Sequence, residues 1–249
     1  MKIVCGPIVR HTTRQELNVW LVLNEQPESV SIAAFADMEQ SESVAISTHD
    51  HILRLAQSCY VVMLTAQITL APSCERVFYD IKVNNISFAE DNFRASICYA
   101  EQLLPSVVIP QKHQNFAQIS CRKPHAKGPR DQIAALDQIL ESSLNTSNRP
   151  SQLYMTGDQI YADDVSPILL EYIDQMRQQL GFVNELVTLD SGQVLNPYLE
   201  PLDGRKSYAN ESTGFTSGEG SSQLTTFAEY LCMYIFAFSG QLSEPTIKF

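Results

Sequence analysis

A short acidic and aromatic segment carries the residues whose types and spacing could do chemistry. Asp158 belongs to a Gly-Asp pair that closes the apolar run 153–155, and Tyr161 follows shortly after it. A strand that ends in such a loop presents it at the carboxyl edge of its sheet, where open α/β folds bind ligands. A carboxylate there, with Asp163 and Asp164 nearby, is typical of sites for hard cations. A turn or a helix cap is the alternative for a lone Gly-Asp pair.

Cys121 is the second candidate, because it follows another predicted strand, residues 116–120. Neighbouring parallel strands end at one rim, so Cys121 and Asp158 are expected at the same edge, with Tyr161 folded back over it. A thiolate, a carboxylate and a phenolate would together neutralise a highly charged metal such as ferric iron. Each residue alone has a simpler alternative. Cys121 would be a small apolar residue buried in the core, and Tyr161 would be an aromatic residue that packs against its neighbours.

Positive charge is concentrated in the loop that follows Cys121. Residues 122–130 contain two arginines, two lysines and one histidine, although the chain as a whole has a formal net charge of -11. Arg122, Lys123 and His125 lie nearest the predicted metal in sequence, and we expect them to bind an anion such as phosphate. A solvated basic loop is the alternative.

The composition limits the class of protein. With 249 residues and an apolar fraction of 44%, the chain is expected to be soluble and globular. Its negative charge argues against a nucleic-acid-binding protein, since phosphate neutralisation needs a basic face. The six cysteines include no CxxC pair, which favours reduced thiols. We identify no secretory signal and no run long enough for a membrane span, so the predicted location is cytoplasmic.

Residues 1–108 predict an all-β sandwich N-terminal domain. Its apolar or alternating runs are ELNVWLVLN, SVSIAAFAD, SCYVVMLTAQITL, RVFYDIKVNN and RASICYA. His49 and His51 flank an aspartate and could be a metal pair, but an exposed turn between strands is favoured because no third ligand is near. The prolines at 105 and 110 predict a linker between domains.

Residues 109–249 alternate strand and helix, which predicts a partial α/β domain with a parallel sheet. One helix is expected over residues 131–144, with Asp131 as its N-cap. A second helix is expected over residues 167–180, with Gly181 directly after its last residue. Residues 203–223 are rich in Gly, Ser and Asn and predict a long mobile loop, with a disordered segment as the alternative. The closing run FAEYLCMYIFAF predicts an apolar helix that lacks its partner surface, which favours self-association.

At these residues the sequence resembles a known family. GPIVRHTTRQELNVWLVL, SCRKPHAKGPRDQIAALDQIL and LYMTGDQIYADDV are similar to segments of the PhoD-like metallophosphatases, relatives of alkaline phosphatase D. The resemblance covers most of the chain and implies a β-sandwich followed by a metallophosphoesterase domain with iron and calcium. It implies that Cys121, Asp158 and Tyr161 ligate iron, and that Asp158 also bridges to the second metal. The implied activity is hydrolysis of a small phosphoester substrate.

The sequence departs from that family beyond the basic loop. Metallophosphoesterases complete their metal centre with later Asn-His, Asp-Asp-His and Gly-Asp-x-His motifs, whereas no histidine follows His125. The expectation is therefore a chain that corresponds to the amino-terminal part of a longer hydrolase, as a truncated product or a degenerate copy, with little activity alone. The alternative is a catalytically inactive remnant or interaction module.

Overall fold

A computed structural model describes residues 2–88, 93–100, 102–112, 115–121, 133–144, 148–199, 205 and 222–239. The chain divides into two compact units, which are considered separately. Unit 1 consists of Met1–Arg54 and Tyr60–Gly157, and unit 2 of Leu55–Cys59 and Asp158–Phe249. The division into domains 1–108 and 109–249 stays a prediction.

Two four-stranded sheets make up most of the first half of the chain. One has the strand order β1-β2-β5-β4, and in the other β3, β7 and β8 all pair with β6. The pairings β1–β2, β2–β5, β3–β6, β6–β7 and β6–β8 are antiparallel. The strands are β1 (Ile3–Val9), β2 (Glu16–Leu23), β3 (Val30–Phe35), β4 (Ala45–Ala56), β5 (Cys59–Ile68), β6 (Arg76–Val83), β7 (Ile86–Ser87) and β8 (Ser106–Val108).

The two sheets share one hydrophobic core, and the β-rich prediction for this region is therefore confirmed. Successive side chains of a strand point to opposite faces, so every second residue can be buried. Leu17 and Leu21 of β2, Leu64 of β5, and Ile32 and Ile81 of the second sheet belong to one buried cluster. Burial of each such side chain contributes about 1.5–3 kcal/mol, which makes this cluster the main source of stability in unit 1.

Three local predictions for this region were wrong. The run RASICYA contains the short helix α1 (Arg94–Ile97) instead of a strand, because a run of that length is too short for its periodicity to decide. The expected linker contains β8, and the prolines at 105 and 110 flank this strand without interrupting it. His49 and His51 are exposed as expected, but they lie within β4 and not in a turn.

A separate two-stranded sheet follows in the chain. Strands β9 (Phe116–Ile119) and β10 (Gln152–Met155) pair in parallel, with Phe116 opposite Gln152 and Ile119 opposite Met155. Helix α2 (Ile133–Ser142) lies between them in sequence. The predicted order of strand, helix and parallel strand is therefore confirmed. The predicted cap of α2, Asp131, lies outside the described residues.

Unit 2 begins with a helix whose two ends follow the sequence signals. Helix α3 (Pro167–Gln179) starts after Ser166, whose side chain accepts a hydrogen bond from the Leu169 N–H. Gly181 follows its end with φ +73°, a left-handed conformation that favours glycine. Strands β11 (Val187–Thr188) and β12 (Val194–Leu195) form a small antiparallel hairpin.

The closing apolar run forms helix α4 (Phe227–Phe238), which begins with a capping box between Thr226 and Glu229. The expectation that this helix lacks a partner surface was wrong. It packs on α3, where the Tyr172 and Phe236 rings meet edge to face at 5.6 Å, and its Ile235 is buried. None of the described helices reaches the length and apolar character needed to cross a membrane.

A buried ion pair fixes the start of α4. Arg205 Nη1 lies 2.7 Å from Glu229 Oε1, and the guanidinium also donates to the carbonyl oxygens of Pro197 and Gln223. Arg205 belongs to the segment predicted to be a long mobile loop, most of which lies outside the described residues. Arg205 itself is almost completely buried, and the prediction for the rest of the segment stays a prediction.

Candidate functional site

The parallel pairing of β9 and β10 continues beyond both strands into the candidate site. The Thr156 N–H donates to the carbonyl of Ile119 at 3.0 Å, and the Cys121 N–H donates to the carbonyl of Gly157 at 3.2 Å. Both bonds lie at the carboxyl ends of the strands. Cys121 and Gly157 are therefore neighbours at that edge, and Gly157 is covalently bonded to Asp158.

Cys121 has an unusual backbone conformation. Its φ is +56°, in the left-handed region that costs an L-residue about 1–2 kcal/mol. Its side chain is exposed, and its Sγ lies 3.3 Å from the Ser120 Oγ. The alternative of a buried small apolar residue was wrong. An exposed thiol held in a strained conformation is instead typical of residues that act at functional sites.

Asp158 adopts the same left-handed conformation, with φ +53°, directly after Gly157 with φ +154°. Asparagine and aspartate tolerate this region better than most residues, but two successive positive φ angles still make a sharp turn. A Cβ on Gly157 would have no atom within 4 Å, so this position requires glycine for its backbone angle and not for space. Asp158 does not cap α3, since that role belongs to Ser166.

Tyr161 folds back toward Asp158, as the sequence predicts for a loop of one turn. Its hydroxyl donates to Asp158 Oδ2 across a long 3.5 Å, and the Asp164 N–H donates to the Tyr161 carbonyl at 3.4 Å. Asp158 is exposed, whereas Tyr161, Asp163 and Asp164 are half-buried. The carboxylate and the phenol can therefore act on one ligand without a change of the local backbone.

The loop after Tyr161 is tied to the segment that precedes α4. The Ala162 carbonyl accepts a hydrogen bond of 2.7 Å from the Leu224 N–H. Next to Asp158, the Gln159 Nε2 is buried and has no hydrogen-bond partner in the described part of the chain. Sequence reasoning missed this amide. Its position directly after the Gly-Asp pair was the only available signal.

His, Cys, Asp and Glu side chains alone do not make a metal site in the described residues, including those of the candidate site. No group of three or more His, Cys, Asp and Glu side chains there is close enough to hold a metal ion. The predicted phosphate-binding residues Arg122, Lys123 and His125 lie outside the described residues.

The buried cysteines differ chemically from Cys121. Burial raises the pKa of the Cys5 thiol to about 12, that of Cys59 to about 11 and that of Cys232 to about 12. These thiols stay protonated at neutral pH and are inert as ligands. Cys121 is exposed, so its sulfur is accessible to a metal ion.

Comparison with known proteins adds no relative. No protein-family model matches the chain, and no curated protein matches it significantly.

Proposed function

We propose that this chain carries the iron-binding residues of a PhoD-like, metal-dependent phosphoester hydrolase. Cys121, Asp158 and Tyr161 would bind the iron, and Asp158 would also contact a second ion, calcium, as the resemblance implies. The observation that carries the proposal is the left-handed backbone shared by Cys121 and Asp158. Strained backbone conformations are concentrated at functional sites, so two left-handed residues at the ends of two paired strands support a ligand-binding role.

The donor set fits ferric iron better than a softer or a more weakly charged ion. A thiolate, a carboxylate and a phenolate bring three negative charges, and a trivalent cation is needed to balance them. The 3.5 Å between the Tyr161 hydroxyl and Asp158 Oδ2 leaves the two oxygens near enough to share one ion. When bound, the metals would activate an oxygen nucleophile and stabilise charge on the phosphoryl oxygens.

The substrate is proposed to be a small phosphoester. Arg122, Lys123 and His125 follow the Cys121 ligand directly, and they would hold the phosphoryl group by charge-assisted hydrogen bonds. Low turnover is expected from this chain alone, because no histidine follows His125 to complete a second metal site. A two-metal hydrolysis without those ligands cannot fix the geometry of attack.

Metal content and hydrolysis together test the proposal. The purified chain is reconstituted with ferric iron and calcium, its iron is measured by mass spectrometry, and hydrolysis of an aryl phosphate is followed. We expect one iron per chain and slow turnover. Asp158→Asn should lose most of both, whereas the matched control Asp190→Asn, at an exposed position on the β11–β12 hairpin, should keep both.

A spectroscopic control separates binding by Tyr161 from a general loss of structure. A ferric ion bound to a phenolate gives a visible charge-transfer band, which Tyr161→Phe should abolish. Tyr154→Phe removes an exposed phenol on β10, which donates to Gln152 Oε1 at 2.9 Å, and should leave the band unchanged. A wild-type chain with neither bound iron nor turnover would instead favour a non-catalytic interaction module.

A further inference from the structure

The edge strand β4 offers an interaction surface that the proposed metal site does not use. It is twelve residues long and ends the sheet order β1-β2-β5-β4, so no described strand pairs with its outer side. Long edge strands are uncommon, because their outward N–H and C=O groups are ready to pair with another strand. Six successive residues, 46–51, are exposed on both faces of this strand, including Ile46 at 71%.

The side chains of β4 contain a charge pattern that is complementary to itself. Asp50 and Arg54 lie two residues to either side of Ile52, and alternate residues share one face of a strand. If two copies of β4 pair antiparallel about a twofold axis at Ile52, Asp50 of each copy lies opposite Arg54 of the other. Opposite residues in such a pair have Cβ atoms about 4.5–5.5 Å apart, near enough for an ion pair.

Other symmetric registers lack this match. An axis at Asp50 would place two aspartates directly opposite each other, which is destabilising, and an axis at His51 would place Asp50 opposite Ile52. The register at Ile52 also places Ile52 opposite its own copy and His51 opposite Leu53 on the other face. Leu53 is 50% exposed in the single chain, so this pairing would cover apolar surface as well as satisfying backbone groups.

The Arg54 side chain contacts an aromatic ring on the neighbouring strand. Its guanidinium carbon lies 5.7 Å from the centre of the Tyr60 ring on the neighbouring strand β5, a contact that keeps the side chain beside the sheet. A guanidinium can stack on an aromatic ring through its face while its N–H groups donate to a carboxylate at its rim.

We propose that β4 is a homodimerisation edge, at which a second copy of this chain pairs antiparallel about Ile52 through two Asp50–Arg54 contacts. The occupant is a second copy of this chain, because Asp50 and Arg54 place complementary charges at both positions of the symmetric register without any other partner. The pairing does not involve metal or substrate, so its test is independent of the proposed hydrolase activity.

Sedimentation equilibrium of the full chain tests the proposal. The wild-type mass should approach twice 27.9 kDa as the concentration rises. Asp50→Arg and Arg54→Asp should each weaken dimerisation about tenfold or more, because like charges then oppose each other twice. A mixture of the two single variants should form a heterodimer, since each variant supplies the charge that the other lacks, and the double variant should dimerise with itself.

Two controls distinguish a loss of dimerisation from other effects of the substitutions. Circular dichroism spectra must match between the variants, so that loss of dimer is not loss of fold. Phe227→Ser, at an exposed position of α4, should leave dimerisation unchanged. A wild type that stays monomeric would overturn the proposal and identify the β4 charges as protection against edge pairing. A dimer that Phe227→Ser abolishes and Asp50→Arg leaves intact would also overturn it.

Discussion

The two antiparallel sheets and the parallel pair β9–β10 belong to the same unit but differ in what covers them. In the sheets, β2 buries Leu17, Val19, Leu21 and Leu23 completely. In the parallel pair no residue is buried, and Phe116 and Leu153 are 66% and 44% exposed. Parallel strands are usually covered on both faces, so this pair is unusual.

The region that stabilises unit 1 is therefore different from the region that carries Cys121. The shared core supplies the burial that holds unit 1 together, while the strained residue Cys121 lies at the end of a strand that contributes little burial. A strain of about 1–2 kcal/mol per left-handed residue is tolerable only when other regions supply the stability. Cys121 thus belongs to a part of unit 1 that adds little to its core.

Truncation of a core leucine should give the largest difference in stability between the two regions. Leu21→Ala removes a side chain with 0% exposure, and we expect unfolding free energy to fall by about 2–5 kcal/mol. Leu153→Ala in β10 should change it by less than about 0.5 kcal/mol. Urea unfolding followed by fluorescence of the single tryptophan measures both. Equal losses would show that β10 is packed as tightly as β2.

Hydrogen exchange compares the same two regions without mutation. The Leu64 amide of β5 lies in the core sheet, with Leu64 paired opposite Val19, and should exchange only on global unfolding. The Ala117 amide of β9 should exchange faster by on the order of a hundredfold or more, since local opening exposes no core. Mass spectrometry with fragmentation resolves the two amides. Equal protection would contradict the division between stable sheets and a weak pair.

Glycine substitutions should change the free energy of unfolding in opposite directions in the two regions. Cys121→Gly and Asp158→Gly relieve left-handed strain, so each should be neutral or stabilising by up to about 1 kcal/mol. Ala66→Gly in β5 should be destabilising by roughly 1 kcal/mol, because glycine loses more conformational entropy in a strand. Calorimetric melting temperatures measure all three variants. Destabilisation by Cys121→Gly would mean that the sulfur packs instead of being strained.

The buried thiols make the stability of the fold depend on pH. The pKa of buried Cys5 is raised from 9.0 to about 12, so its thiol stays protonated in the folded state while the unfolded chain ionises. The stability from this group is complete below pH 9 and is lost as the pH rises toward about 12. The urea midpoint should therefore fall between pH 8 and 10.5, and Cys5→Ala should reduce that fall.

Sequence patterns predicted the elements whose signals are local. The alternation in β2 and β5, the cap at Ser166 and the glycine at 181 each identify an element without knowledge of the rest of the chain. Contacts between distant segments were not predictable in this way. The packing of α4 on α3 and the ion pair of Arg205 with Glu229 join residues far apart in sequence, and no periodicity signals either.

The sequence predicted which residues form the candidate site, but it did not predict their backbone conformation. The Gly-Asp pair and the tyrosine that follows it indicate a loop folded back on the aspartate, and the Tyr161 hydroxyl lies 3.5 Å from Asp158. The left-handed conformation of Cys121 has no sequence signal, because that region is expected for glycine and asparagine and not for cysteine. The Cys121 N–H donates to the Gly157 carbonyl beyond the end of β9, a contact that sequence periodicity also does not signal.

X-ray absorption at the iron edge tests the central claim most directly, because it detects the atoms bound to the metal. In the reconstituted wild-type chain we expect one sulfur scatterer among lighter oxygen scatterers. In Cys121→Ser the sulfur should disappear while iron remains bound, and in Cys74→Ser it should persist. A wild-type spectrum without sulfur, or one that Cys121→Ser does not change, would contradict the assignment of Cys121 as an iron ligand.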